Sequence, residues 1–272
     1  NEAKERVRSA IKNSSFSFPQ KKVVVNLAPA DIKKEGTNFD LPIAVGILIE
    51  EGTIQEEKTQ DVAFIGELSL DGTLRSINGV LPHVLGLKKA GVKTVIVPKE
   101  NAKEASLANG ITVLSANNLN EVVNHFIDTP LEIIHTNVDE YLAKGIEEDY
   151  LYDFKDVKGQ QKAKKALEIA AAGGHNMIMV GTPGSGKTLM AKCFASILPP
   201  LELSEALELT KIYSVSGLLT NNEPLMVKRP FRAVHHTASA NGIIGGGTNP
   251  KPGEITLAHR GVLFLDEIVE FP

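Results

Sequence analysis

Eight consecutive residues constrain this chain more than any other feature: Gly181-Thr182-Pro183-Gly184-Ser185-Gly186-Lys187-Thr188. They fit G-x-x-x-x-G-K-[ST]. The apolar run Asn176–Val180 precedes them, and Thr188–Leu198 follows with helix-forming composition until Pro199-Pro200 stops it. Strand before and helix after is the context this pattern requires. The glycines let the backbone curl until successive N–H groups converge on phosphate oxygens, and the helix start adds partial positive charge. Lys187 is expected to reach the β- and γ-phosphates of ATP, and the Thr188 hydroxyl to ligate Mg²⁺.

A second signal lies downstream. Gly261-Val262-Leu263-Phe264-Leu265-Asp266-Glu267 reads as a buried strand ending in two carboxylates. Asp266 at such a strand end can hold magnesium, and Glu267 can polarise an attacking water. Lys187 and Glu267 are thus the expected catalytic residues, and the acidic pair favours ATP hydrolysis over simple binding. All-apolar strands alternating with helices predict a parallel sheet covered on both faces. The gap between Lys187 and Asp266 exceeds one strand-helix-strand unit, so it holds a further strand and an insertion.

The chain has 272 residues, enough for two ordinary domains, and is 42% hydrophobic with 23% charged residues. The longest apolar run, near Leu41–Ile49, is interrupted by Pro42 and Gly46 and is too short to span a membrane. A single cysteine, Cys193, excludes an internal disulfide framework and a cysteine-based zinc site. The start lacks an initiator Met and a signal pattern, as a trimmed N-terminus would. These features fit the cytoplasm. Residues 129–153 carry one basic and seven acidic side chains, which predicts a solvated acidic linker between residues 1–128 and 154–272.

The first half alternates strand-like and helix-like signals. Lys21–Leu27 is β-branched; Leu41–Glu51 has helix length; Val62–Leu68 and Thr73–Ile77 flank Asp71-Gly72 and read as a hairpin. Val80–Ala90 suits a helix capped by Gly91, Thr94–Pro98 a buried strand, and Asn120–Phe126 a helix. The pattern is α+β, and its periodicity names no function. In the second half Gln160–Ala172 reads as a helix ended by Gly173-Gly174. The pair His235-His236 invites a metal reading, but adjacent residues on a strand face opposite ways and no carboxylate stands at ligand spacing, so packing or polar contact is expected instead. The run Gly245–Glu254 is either a mobile hairpin touching a substrate or an ordinary loop.

Several motifs in order resemble a known family. Gly173-Gly174-His175-Asn176 before the phosphate loop, Arg229-Pro230-Phe231-Arg232, His235–Ser239, Asn249–Glu254 and Gly261–Glu267 look like the Mg-chelatase-like AAA+ proteins of the ComM/YifB type. Arg6–Ile11, Asn26–Asp31 and Phe39–Ala44 resemble that family's first domain. The resemblance implies a first domain with the fold of the Lon protease proteolytic domain (ribosomal protein S5 domain 2-like). It implies that this domain is not catalytic, because Asn38 stands where the serine would be and Asn78–His83 offers no lysine. Thr37 and His83 are the only substitutes to consider. For the second domain it implies an AAA+ module assembling as a homo-oligomeric ring, a hexamer, with Gly245–Glu254 as the insert facing pore or client. Family members are longer at both ends. Sensor, arginine-finger and lid residues are therefore expected beyond Pro272, and turnover by these residues alone is expected to be minimal.

The function so implied is a DNA motor promoting branch migration during natural transformation, with DNA as partner and no membrane. No base-reading or aromatic-stacking motif supports DNA independently. Alternatives are a chelatase-type ATPase powering metal insertion by a partner, a protease-related protein, and a nucleotide-gated scaffold.

Overall fold

A computed structural model describes residues 2–27, 36–147, 150–220, 222–247 and 250–271. Parts of the motifs named above, Ala28–Asp31 and Thr248-Asn249, lie outside the described residues, as do Glu148-Asp149 of the acidic stretch. Contacts divide the chain into two compact units: Asn1–Thr136 with Thr220–Pro224, and Asn137–Leu219 with Leu225–Pro272. Together they make a mixed α/β protein with parallel strands and helices.

In the first unit, helix α1 (Glu2–Asn13) packs on α2 (Asp40–Glu50). Leu41, Ala44, Val45 and Leu48 recur at helical spacing and turn one face of α2 into a core with Ile11 and Ile96. Strand β1 (Val62–Phe64) runs parallel to β4 (Thr94–Pro98), which runs parallel to β5 (Thr112–Ala116); β6 (Glu132–Ile133) closes the sheet antiparallel to β5. The expected hairpin is real but shorter than predicted. Only β2 (Glu67–Leu68) pairs with β3 (Leu74–Arg75), because the run breaks at Gly66, whose N–H donates to Asn38 O at 3.2 Å while its carbonyl accepts from Leu41 N at 3.1 Å. Helix α3 (Val80–Lys89) ends as predicted. Gly91 has φ +86°, and Gly91 N and Val92 N donate to the carbonyls of Lys88 and Leu87, the paired bonds of a Schellman cap. Helices α4 (Ala102–Ala105) and α5 (Leu119–Ile127) complete the layer, and Asn118 caps α5 by accepting from Glu121 N at 2.9 Å. Lys21–Leu27, expected as a strand, is not one: it has no ladder partner among the described residues, and Val24 is 77% exposed.

One buried ion pair pins α1 to α2. Arg6 Nε and Nη2 donate to Asp40 Oδ2 and Oδ1 at 2.8 and 3.2 Å, and Leu68 N adds a donor at 3.4 Å. The hydrogen bond that Arg6 donates to Asp40 is the chief reason the Arg6 pKa is raised.

The second unit begins with α6 (Val138–Glu147); residues 129–153 thus hold α6 as well as β6. Helix α7 (Gln161–Gly173) and α8 (Lys187–Phe194) pack Leu167, Met190 and Cys193 on Phe154 and Val157, and burial pushes the Cys193 thiol pKa up. After α9 (Leu203–Val215), strand β7 (Phe231–Val234) leads into α10 (Ala240–Ile244) and a two-residue ladder between β8 (Gly245–Gly246) and β9 (Lys251–Pro252); α11 (Glu254–Leu257) returns the chain to β10 (Val262–Leu265). The run Gly245–Glu254 is therefore a hairpin at its base.

The parallel sheet of this unit is narrower than expected. Among the described residues it contains β7 and β10 alone, and both are half-buried rather than fully covered. Asn176–Val180, expected as a buried strand beside them, forms no strand, and Ile178 and Val180 are 76% and 95% exposed. A cavity of about 260 Å³ is lined by Met177 and Met179 together with Leu263 and Phe264. A strand exists only through ladder bonds to a neighbour, and no described residue supplies them to this run.

Candidate functional site

The phosphate loop has the backbone its glycines permit. Gly184 and Gly186 have φ of +78° and +86°, in the left-handed region where a side chain is strained. Gly186 is also the residue from which α8 starts, and Met190 N donates back to its carbonyl at 2.9 Å. The loop is filled by its own atoms: a Cβ on Gly181 would come within 2.9 Å of Ser185 Oγ. That hydroxyl is buried and makes no hydrogen bond. Lys187 Nζ bends back to Gly181 O at 2.8 Å and Thr182 O at 3.1 Å.

Thr188, one residue further, reaches across to the other signal. Its Oγ1 donates to Asp266 Oδ2 at 3.3 Å, joining residues 78 apart in sequence. Asp266 and Glu267 both lie past the end of β10, so the strand stops two residues earlier than expected. Asp266 Oδ1 accepts from Glu267 N at 3.1 Å, and Glu267 has φ +52°, an uncommon conformation for a residue other than glycine. An orphaned hydroxyl, left-handed glycines and a Thr-Asp oxygen pair are what a loop holding phosphate with magnesium needs, so these residues fit ATP and Mg²⁺.

The histidine pair makes polar contacts, as expected, but by a geometry that strand alternation did not foresee. Strand β7 stops at Val234, so the alternation of strand faces does not govern His235 and His236. Their rings lie side by side, with centroids 4.1 Å apart and planes at 35°. His236 Nδ1 stands 3.2 Å from Glu267 Oε2 without making a hydrogen bond. A carboxylate at ligand distance is therefore present in space where sequence spacing offered none.

What frames this site was visible only as motif letters. Arg232 forks onto Glu254 at 2.5 and 2.7 Å, tying β7 to α11. Its hydrogen bond is the main reason the Glu254 carboxyl titrates below the ordinary range, against partial burial. Arg229 donates to Pro199 O, Arg260 O and Glu205 Oε2 at 2.6, 2.7 and 2.9 Å, fixing the approach to β7. In the first unit, Thr37 Oγ1 donates to Glu67 Oε2, while His83 Nδ1 sits 2.5 Å from Gly79 O.

The class of protein follows from comparison with known sequences. Residues 153–272 match the family described as "Magnesium chelatase, subunit ChlI", and residues 1–101 match "Subunit ChlI of Mg-chelatase". Competence protein ComM of Haemophilus influenzae is 44% identical across 99% of this chain and 53% of its own length. The uncharacterized protein YifB of Escherichia coli is 42% identical across 99% of this chain and 52% of its own. The chain belongs to the ComM/YifB family, and it spans about half the length of these relatives. Lon protease 2 of Bacillus subtilis is 33% identical across 38% of this chain and 18% of its own length.

Proposed function

We propose that the second unit is the nucleotide engine of an AAA+ ATPase, acting in the cytoplasm as a homo-oligomeric ring. The observation that carries this reading is the 3.3 Å approach of Thr188 Oγ1 to Asp266 Oδ2 beside the phosphate loop. In this reading the backbone of Gly181–Gly186 cradles the phosphates and Lys187 neutralises the β- and γ-phosphate oxygens. Thr188 and Asp266 hold the magnesium, and Glu267 orients the water. Bound Mg·ATP supplies an activated phosphoanhydride; the chain's own groups supply position and charge.

We infer that the work done is on DNA, as a branch-migration motor in recombination, because the relative named for competence matches along nearly the whole chain. The second reading, a chelatase-type ATPase powering metal insertion by a partner, is favoured by the family description matched by residues 153–272. Measuring ATP hydrolysis by the whole protein with and without forked DNA separates them. Stimulation that weakens as salt rises supports the motor, and indifference to DNA sinks it. We also propose that the first unit is a Lon-like scaffold without peptidase chemistry. Asn38 replaces the nucleophile, Thr37 is bound to Glu67, and His83 faces its own helix backbone. Casein cleavage abolished by Thr37→Ala would overturn that view.

A further inference from the structure

The trio His235, His236 and Glu267 stands beside the phosphate site and shares Glu267 with it. Each residue offers a ligand atom, and these atoms all lie within 4.8 Å of one another. The register of the parallel pair explains the convergence. Val234 faces Leu265 at the end of the ladder, and carrying that register two residues on sets His236 against Glu267. The turn beyond β7, closed by Ala238 N donating to His235 O at 2.9 Å, keeps His235 on the same side. The left-handed backbone of Glu267 aims its carboxylate at the rings rather than along the strand.

From this geometry we propose that the trio is a binding site for a borderline transition-metal dication, Zn²⁺, distinct from the magnesium position at Thr188 and Asp266. Two imidazoles and one carboxylate suit zinc, whereas magnesium selects oxygen donors in octahedral array. A tetrahedral zinc holds its ligands about 3.4 Å apart, a closure that the exposed ring of His235 can supply by rotating. His235 Nδ1 lies 2.9 Å from Thr237 Oγ1 and accepts from Thr237 N at 3.3 Å; metal binding at Nε2 exchanges the second contact for an Nδ1–H bond donated to Thr237 Oγ1, the outer hydrogen bond that metal-bound imidazoles use. Three protein ligands at a solvent-facing edge leave a fourth position to water. His236 Nδ1 is buried, makes no hydrogen bond and stands beside the Glu267 carboxylate, so a cation between them would give both a partner.

The test reads metal binding directly, without nucleotide. Zn²⁺ is titrated calorimetrically into the protein in excess Mg²⁺, and Co²⁺ serves as the visible-absorption probe. One ion per chain is expected, with a Co²⁺ ligand-field band of low coordination number. His235→Ala and His236→Ala should each remove the one-to-one binding, and Thr237→Val should weaken it about tenfold. His259→Ala, which alters the separate pair of His259 with Glu208, should leave it intact. Circular dichroism confirms that the variants fold. Absence of binding, displacement by Mg²⁺, or stoichiometric binding that survives His235→Ala and His236→Ala together overturns the proposal. One consequence rests on the ATPase reading: zinc held by Glu267 should inhibit ATP hydrolysis in the native protein but not in the double histidine variant. Binding without inhibition would count against the role given to Glu267, not against the metal site.

Discussion

The polar groups of the two units live under opposite conditions. In the first unit both substitutes for a Lon-like nucleophile and base are spoken for. Thr37 is bound to Glu67, His83 to a backbone carbonyl, and Asp40 is buried under the fork of Arg6. In the second unit the chemistry-bearing groups lie past strand ends or on a loop, and several are loosely held. Lys187 rests on loop carbonyls, Ser185 Oγ has no partner, and Glu267 is 62% exposed at its side chain. Satisfied polar groups hold a scaffold together, whereas unsatisfied ones are available to a ligand.

This contrast can be broken by experiment. The largest effect is expected at Glu267 and Lys187. Replacing Glu267 by Gln should cut ATP turnover by about 10²–10⁴-fold, the usual worth of a positioned base. Lys187→Ala should do the same or worse while leaving the melting temperature within a few degrees. An unchanged turnover rate would end the nucleotide argument. Next comes Arg6→Met, which strands Asp40 in the core and should cost about 3–5 kcal/mol in denaturant unfolding of the first unit. Leu41→Ala, at a fully buried position, should cost about 2–5 kcal/mol by the same measure. A smaller effect is expected from acid at Glu254. Its folded pKa is depressed by Arg232, so the pair's contribution is complete above the ordinary glutamate value of about 4.3 and fades as pH falls through the lower folded value. Urea midpoints of Arg232→Met should show a weaker decline over that acid window than the native protein. The smallest belongs to Val180→Thr, which at 95% exposure should shift stability by less than about 0.5 kcal/mol. A loss several times larger would mean that Asn176–Val180 is covered after all.

Reading the residues alone went furthest where the deciding contacts are local. The extents of α2, α3 and α7 were set by apolar spacing and by cap glycines within a turn of the helix end. It failed where a neighbour had to be supplied. Lys21–Leu27 and Asn176–Val180 have strand composition, yet neither finds a ladder among the described residues, because a strand's hydrogen bonds belong to two segments and composition describes one. It failed again at His235-His236, where the rule of alternating faces was applied one residue beyond the end of the strand.

By itself, then, the sequence determined the phosphate loop. In the proposed reading Gly181–Thr188 would act through backbone angles and N–H directions set within eight residues, and no distant segment is needed to specify them. Only the tertiary structure decided what that loop works with. Thr188 meets Asp266 across 78 residues, and Glu267 meets His236 because the parallel register of β7 and β10 brings their ends together. Register is a property of paired strands, and neither strand carries it alone.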